Sequence, residues 1–249
     1  STLNEKPKIP GEVVAFDAAT GVQRWHSWTM PDGAAGGGVW SSPAVDERAG
    51  VVYVGTGDPD DGVQVFRLRD GHLIWHWRSV QRDVSDTDVG SGPSLYIDRQ
   101  GQARVVVGGK DGMIYCLDAK NGNVIWRALV GEQVYSSPAY AQNTIYAVGA
   151  LRGRAGEVWA LDTVQGIVRW QRAVSLLVYA SPVIANQALY VGLGDGFKSG
   201  DGGIQVIDPE SGRLLQYEDL HSAVSSSPAV LPSWLFVGAR DGNLYAFTR

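Results

Sequence analysis

The chain has 249 residues, 44% of them hydrophobic and 19% charged, enough apolar material for a sizeable buried core. Its formal net charge is −5, with Lys and Arg scattered, which argues against nucleic acid as a partner because a grip on phosphate backbones needs clustered cations. No apolar run reaches the roughly 18 residues of a membrane span, and the single Cys116, inside the apolar run MIYCLD, excludes an internal disulfide and reads as a buried thiol.

Short Val/Ile/Tyr-rich runs between Gly, Asp and Asn clusters predict many short strands. The first two strands form a hairpin over 11–28. Four full units of four strands follow at about 39–78, 90–130, 135–174 and 179–220, and three strands over 224–249 close the sequence. In the unit at 39, SSPAVD is strand A, VVYVGTG strand B, VQVFRLR strand C and LIWHW strand D, counted from the inside out. Copies recur at roughly 40 to 50 residues, the blade period of a β-propeller, so the predicted fold is an all-β propeller of four-stranded blades in one domain. The first unit has only strands C and D and the last only A to C. Strands A and B are therefore expected to precede Ser1, leaving the propeller N-terminally incomplete and its open sheet edges available for self-association.

The C–D hairpin carries the clearest repeat: AFDAATGVQRW at 15–25, VFRLRDGHLIW at 65–75, CLDAKNGNVIW at 116–126, ALDTVQGIVRW at 160–170 and VIDPESGRLLQ at 206–216. Asp17, Asp118 and Asp162 are placed to bond the backbone of the following turn. Gly21, Gly71, Gly122, Gly166 and Gly212 supply its positive φ. Trp25, Trp75, Trp126 and Trp170 on strand D are read as filling the gaps between neighbouring blades, with the small residue at the start of the motif leaving them room.

Strand alternation puts the D–A and B–C loops at one end of the propeller. The long loops are there, STLNEKPKIP, GTGDPDDG, GALRGRAG and GLGDGFKSGDGG among them, so that end is expected to be functional. It collects Glu5, Trp40 where PDGAAGGGVW meets strand A, Asp58 after strand B, Asp86 and Asp88 in QRDVSDTDVGSG, and Lys110 in VVVGGKDG. Taken singly, Asp58, Asp86 and Asp88 also suit turn capping, Lys110 a solvated surface and Trp40 simple packing. Taken together, carboxylates, a lysine and an aromatic on one end are a chemistry-bearing set, and Glu5 with Asp58 offers two oxygen ligands to a hard cation.

The eleven-residue repeat Ala-x-Asp-x-x-x-Gly-x-x-x-Trp resembles the tryptophan-docking motif of the quinoprotein propellers. That family includes pyrroloquinoline-quinone (PQQ) dependent alcohol dehydrogenases and a non-enzymatic lipoprotein of the outer-membrane assembly machine. LNEKPKIPGEVVAFD resembles the enzymes' GAE…G-x-V-x-A-x-D segment, which implies a metal-binding role for Glu5. GGGVWSSPAVDERAGVVYVGTGDP is similar to GGG-x-x-W…D…YFGTGNP, which implies that Trp40 stacks on the quinone and that Asp58 replaces a metal-binding Asn. SDTD resembles WDYD, with Asp86 as the implied catalytic base and Asp88 beside it, and GKDGMIYCLD resembles G-[R/K]-N-G-x-x-Y-x-L-D, with Lys110 as the cation on the quinone oxygens.

The resemblance thus implies oxidation of an alcohol with PQQ and Ca2+, a small-molecule or polymer alcohol as substrate, and a cytochrome c as electron acceptor. It also implies a periplasmic or secreted setting. GGGVW and DTDVGSGP are closest in wording to the polyvinyl-alcohol dehydrogenase branch. The alternative that it leaves open is a quinone-free scaffold for protein partners. The departures are Asp58 for Asn, Ser85 for the Trp of WDYD, and the lack of a vicinal cysteine pair.

Overall fold

The computed structural model describes residues 9–79, 87–151, 155–195 and 200–248. A two-stranded sheet, β1 (Glu12–Phe16) and β2 (Gln23–Trp28), comes first. Four antiparallel four-stranded sheets follow: β3 (Ala44–Asp46), β4 (Val51–Gly55), β5 (Gly62–Arg67) and β6 (Leu73–Arg78); β7 (Ser94–Ile97), β8 (Ala103–Gly108), β9 (Met113–Asp118) and β10 (Val124–Leu129); β11 (Ala139–Ala141), β12 (Thr144–Leu151), β13 (Ala155–Asp162) and β14 (Val168–Val174); β15 (Val183–Ala185), β16 (Ala188–Leu193), β17 (Gly203–Ile207) and β18 (Leu214–Asp219). A three-stranded sheet, β19 (Ala229–Val230), β20 (Trp234–Gly238) and β21 (Leu244–Thr248), ends the chain. Strands follow chain order within each sheet, and the first strands of successive sheets adjoin, β3 to β7, β7 to β11, β11 to β15 and β15 to β19. This is the radial arrangement of propeller blades, with the first strand of each four-stranded sheet innermost.

The middle strands are apolar on both faces because a blade is sandwiched between two others. VVYVG of β4 is buried throughout, as are Val105, Val106 and Val107 of β8 and Ile114 to Leu117 of β9. Burying one such Val or Ile contributes about 1.5–3 kcal/mol. The outer strands alternate, with Trp75 and Trp77 turned toward the core between the second and third sheets.

Tryptophan docking is visible atom by atom. The indole Nε1 of Trp25 donates to the Leu68 carbonyl of the next sheet (2.6 Å), Trp75 to Ala119 (3.1 Å), Trp126 to Thr163 (2.9 Å) and Trp170 to Pro209 (2.9 Å). A tyrosine hydroxyl shares the acceptor in three cases: Tyr53 with Ala119, Tyr96 with Thr163 and Tyr146 with Pro209. The room for each indole comes from the turn glycine of the next sheet rather than only from the small residue that opens the motif. A Cβ on Gly122 would lie 2.8 Å from Trp75 Cε3, and one on Gly166 2.5 Å from Trp126 Cε3. These glycines therefore serve twice, since they also hold φ near +70 to +75°. In the same turns Asp17, Asp162 and Asp208 each accept two backbone N–H groups.

At the hub, serines stitch the innermost strands. Gly92 N–H donates to Ser137 Oγ and Ser137 N–H to Ser181 Oγ, both at 2.9 Å, while Ser94 Oγ donates to the Pro138 carbonyl. The recurring Ser-Pro stretch is thus a blade-to-blade seam. Cys116 is fully buried, and burial pushes its thiol up to about 11, which keeps it inert.

Candidate functional site

The loop between β4 and β5 holds three acids, and its geometry separates their roles. The backbones of Thr56 and Gly62 bond reciprocally and close its base. Asp60, 1% exposed, accepts from Thr56 Oγ1 (2.7 Å) and Gln64 Nε2 (2.8 Å) at Oδ2 and from Arg78 Nη2 (3.1 Å) at Oδ1, where His76 Nε2 also lies 2.9 Å away. Burial alone would raise its carboxyl, but the bonds from His76, Thr56 and Gln64 outweigh that and hold it below the usual range. Asp60 is the anchor of the loop. Asp58 and Asp61 turn instead toward Asp88, which sits just before β7 in the next blade.

Carboxylate oxygens of Asp58, Asp61 and Asp88 lie within 4.8 Å of one another. Asp88 is buried. It accepts the Asp58 backbone N–H at its Oδ1 (2.8 Å) and pairs through Oδ2 with Lys110 Nζ, and its own carbonyl accepts the Lys110 N–H (2.9 Å). Lys110 follows β8, its side chain nearly as buried as that of Asp88. Its ammonium lies 5.1 Å from the centroid of the Trp40 ring, within cation–π range.

Trp40 is half exposed, at 52%. Two glycines position it. A Cβ on Gly90 would collide with the indole's six-membered ring, and one on Gly57 would lie 3.2 Å from Nε1 and 2.5 Å from Asp88 Oδ1. The ring is therefore seated against backbone while half of its surface stays open. Trp40, Asp58, Asp88 and Lys110, singled out in the sequence, come together here. Glu5 and Asp86 lie outside the described residues. Asp61, Gly57 and Gly90 join the site without having been singled out. The acid-rich wording of GDPDDG and the glycine at 90, where other repeats have an aromatic or Ser, were the available signals.

The arrangement fits two kinds of group. Three carboxylates against one ammonium leave net negative charge and an all-oxygen donor set, which suits a hard divalent cation. An open indole face bordered by a fixed cation suits a planar, electron-poor, anionic ring.

Residues 59–220 match the repeat family described as outer membrane protein assembly factor BamB. A polyvinylalcohol dehydrogenase of Pseudomonas sp is 28% identical over 160 residues, covering 48% of this chain and 25% of its own. The outer membrane protein assembly factor BamB of Xanthomonas campestris is 29% identical over 140 residues, covering 54% of this chain and 32% of its own. Among solved structures, a quinohemoprotein alcohol dehydrogenase from Pseudomonas putida superposes with a TM-score of 0.74 at 14% identity, over 93% of this chain and 52% of that one. BamB from Moraxella catarrhalis gives 0.66 at 18% identity, over 98% and 67%. The chain matches about a quarter of the length of the polyvinylalcohol dehydrogenase and about a third of the curated BamB.

Proposed function

This chain belongs to the PQQ-repeat β-propeller family, and from that premise we propose that it forms part of a quinoprotein alcohol dehydrogenase acting on secondary alcohols, polymeric ones included. The observation that carries the reading is the convergence of Trp40, Asp58, Asp88 and Lys110 from two neighbouring blades on one cradle. PQQ, when bound, supplies a two-electron acceptor for the hydride of the alcohol carbon, and Ca2+ supplies a Lewis acid. Every other task falls to side chains. Trp40 offers the stacking surface, fixed by Gly57 and Gly90. Asp58, Asp61 and Asp88 hold the cation, with Glu5 as a further ligand by resemblance. Lys110 keeps positive charge at the edge of the stacking surface, where it would offset negative charge on an electron-accepting ring. Asp86, two residues before the buried Asp88, takes the proton from the substrate hydroxyl oxygen.

Electrons then need an outlet, for which a cytochrome c is the proposed acceptor, and the proposed setting is the periplasm or the cell exterior. No helix among the described residues is long and apolar enough to cross a membrane. The test is dye-linked oxidation of 2-propanol and of poly(vinyl alcohol) by the full-length protein reconstituted with PQQ and Ca2+. Turnover that an Asp86→Asn variant abolishes while PQQ still binds supports the reading. Unchanged turnover in that variant removes Asp86 as base, and absence of both binding and turnover removes the enzyme.

The second reading is a quinone-free scaffold that holds protein partners, favoured by the BamB description of the matching family and by the 29% identical BamB. A full-length protein that captures partner proteins but takes up no PQQ fits that reading.

A further inference from the structure

Trp40 occupies a position that every blade repeats. Four residues before the first residue of β3, β7, β11, β15 and β19 stand Trp40, Gly90, Tyr135, Tyr179 and Ser225. Each follows a valine. Val89, Val134, Val178 and Val224 are buried, and two of them pack on the glycine of a neighbouring strand: Val134 on Gly108 and Val224 on Gly192. With the valine anchored inward, the next residue takes in its own blade the position that Trp40 takes in the second sheet. Beneath this rim the seam from Ser137 N–H to Ser181 Oγ locks the two tyrosine-bearing blades together.

Tyr135 and Tyr179 are both partly exposed, and their rings meet at a centroid distance of 5.0 Å, tilted by 43°. The Tyr135 hydroxyl donates to Gln133 Oε1 (2.8 Å). Burial, and then the neighbouring Tyr135 and Asp195, hold the Tyr179 phenol above its ordinary range, so it stays a neutral donor. The pair is thus a rigid two-ring surface with hydrogen-bonding atoms at its margin. It costs little conformational entropy to present, and it is not needed to fill a core.

We propose that Tyr135 and Tyr179 form a specificity subsite for a polyhydroxylated chain, and that this subsite binds the part of a polymeric alcohol that extends from the Trp40 site across the hub. An aliphatic backbone with regularly spaced hydroxyls matches both features, C–H faces on the rings and O–H groups toward Gln133, Asp195 and the phenols. The inference rests on the dehydrogenase reading only for its location relative to the reacting group.

The test is electrophoresis of the full-length protein through native gels with and without poly(vinyl alcohol), which is uncharged, so that slowing reports binding. Wild type is slowed. The Tyr135→Ala/Tyr179→Ala pair, and the better-filling Tyr135→Gln/Tyr179→Gln pair, bind about tenfold more weakly, whereas Tyr135→Phe/Tyr179→Phe keeps most of the slowing. Equal slowing of wild type and a folded ringless pair overturns the proposal, as does no slowing of wild type. Ring-dependent slowing without any alcohol oxidation retires the dehydrogenase reading and leaves the subsite standing. Oxidation of the polymer with a KM indifferent to both ringless pairs does the reverse.

Discussion

Lys110 and Asp88 form an ion pair below the surface, and the lysine ammonium lies 5.1 Å from the centre of the Trp40 ring. One buried cation therefore serves two neighbours: it balances a carboxylate that faces Asp58 and Asp61, and it borders an exposed aromatic surface. Removing one partner of such a pair leaves a desolvated charge, typically costing about 3–5 kcal/mol.

Lys110→Met is accordingly expected to lower stability by about 3 kcal/mol in urea unfolding. Because a cation among Asp58, Asp61 and Asp88 restores the missing positive charge, added Ca2+ is expected to raise the melting temperature of the variant more than that of wild type. A variant melting at the wild-type temperature, or one indifferent to Ca2+ and other divalent ions, contradicts this account of the carboxylates.

Gly90→Ala tests how Trp40 is positioned. The added methyl has no room beside the indole, while Gly38 has nothing within 4 Å of its ideal Cβ and needs no positive φ. Gly90→Ala is expected to weaken PQQ binding about tenfold by tilting the ring, with circular dichroism unchanged, and Gly38→Ala to have no measurable effect. Equal affinities for both variants and wild type mean that the orientation of the ring is immaterial.

Asp60→Ala separates the anchor from the ligands. It deprives Thr56, Gln64, His76 and Arg78 of one shared acceptor, and about 3 kcal/mol of stability is expected to go with it. Since Asp58 and Asp61 hang from the same loop, Ca2+ affinity is expected to fall too, although Asp60 faces away from them. Calorimetric titration with Ca2+ alone reads this directly.

Acid sensitivity follows from the C–D turns. Arg24, then Thr20, hold Asp17 down at about 2, backbone donors and Ser211 lower Asp208, and backbone bonds with Arg169 overcome burial to lower Asp162. A carboxyl lowered in the folded state stabilises fully above its unfolded value near 3.9, and that contribution fades as pH falls toward the folded value. For Asp17 the window runs from about 4 down to about 2. Unfolding midpoints are expected to drop across it, and Asp17→Asn to flatten the drop. A profile unchanged by that substitution contradicts the assignment.

The propeller was legible because its signals are local: turn aspartate, glycine and tryptophan lie within eleven residues and repeat at a fixed period. The same locality hid the second duty of the glycines, since the indole each one admits belongs to the preceding blade, some 40 residues away in the chain. The site divides along that line as well. Trp40, Asp58, Asp88 and Lys110 stood out from their own wording. Asp61 looked like one more acid in a turn until the loop's anchoring through Asp60 set its direction, and Gly90 gained meaning only when Trp40 was seen resting on it.

The most direct measurement is a fluorescence titration of the full-length protein with PQQ in the presence of Ca2+, repeated with Trp40→Ala. The account predicts saturable, Ca2+-dependent quenching in wild type that Trp40→Ala largely abolishes while the fold persists. Quenching of equal depth and midpoint in the variant, or none in wild type, contradicts the claim that a quinone lies on Trp40.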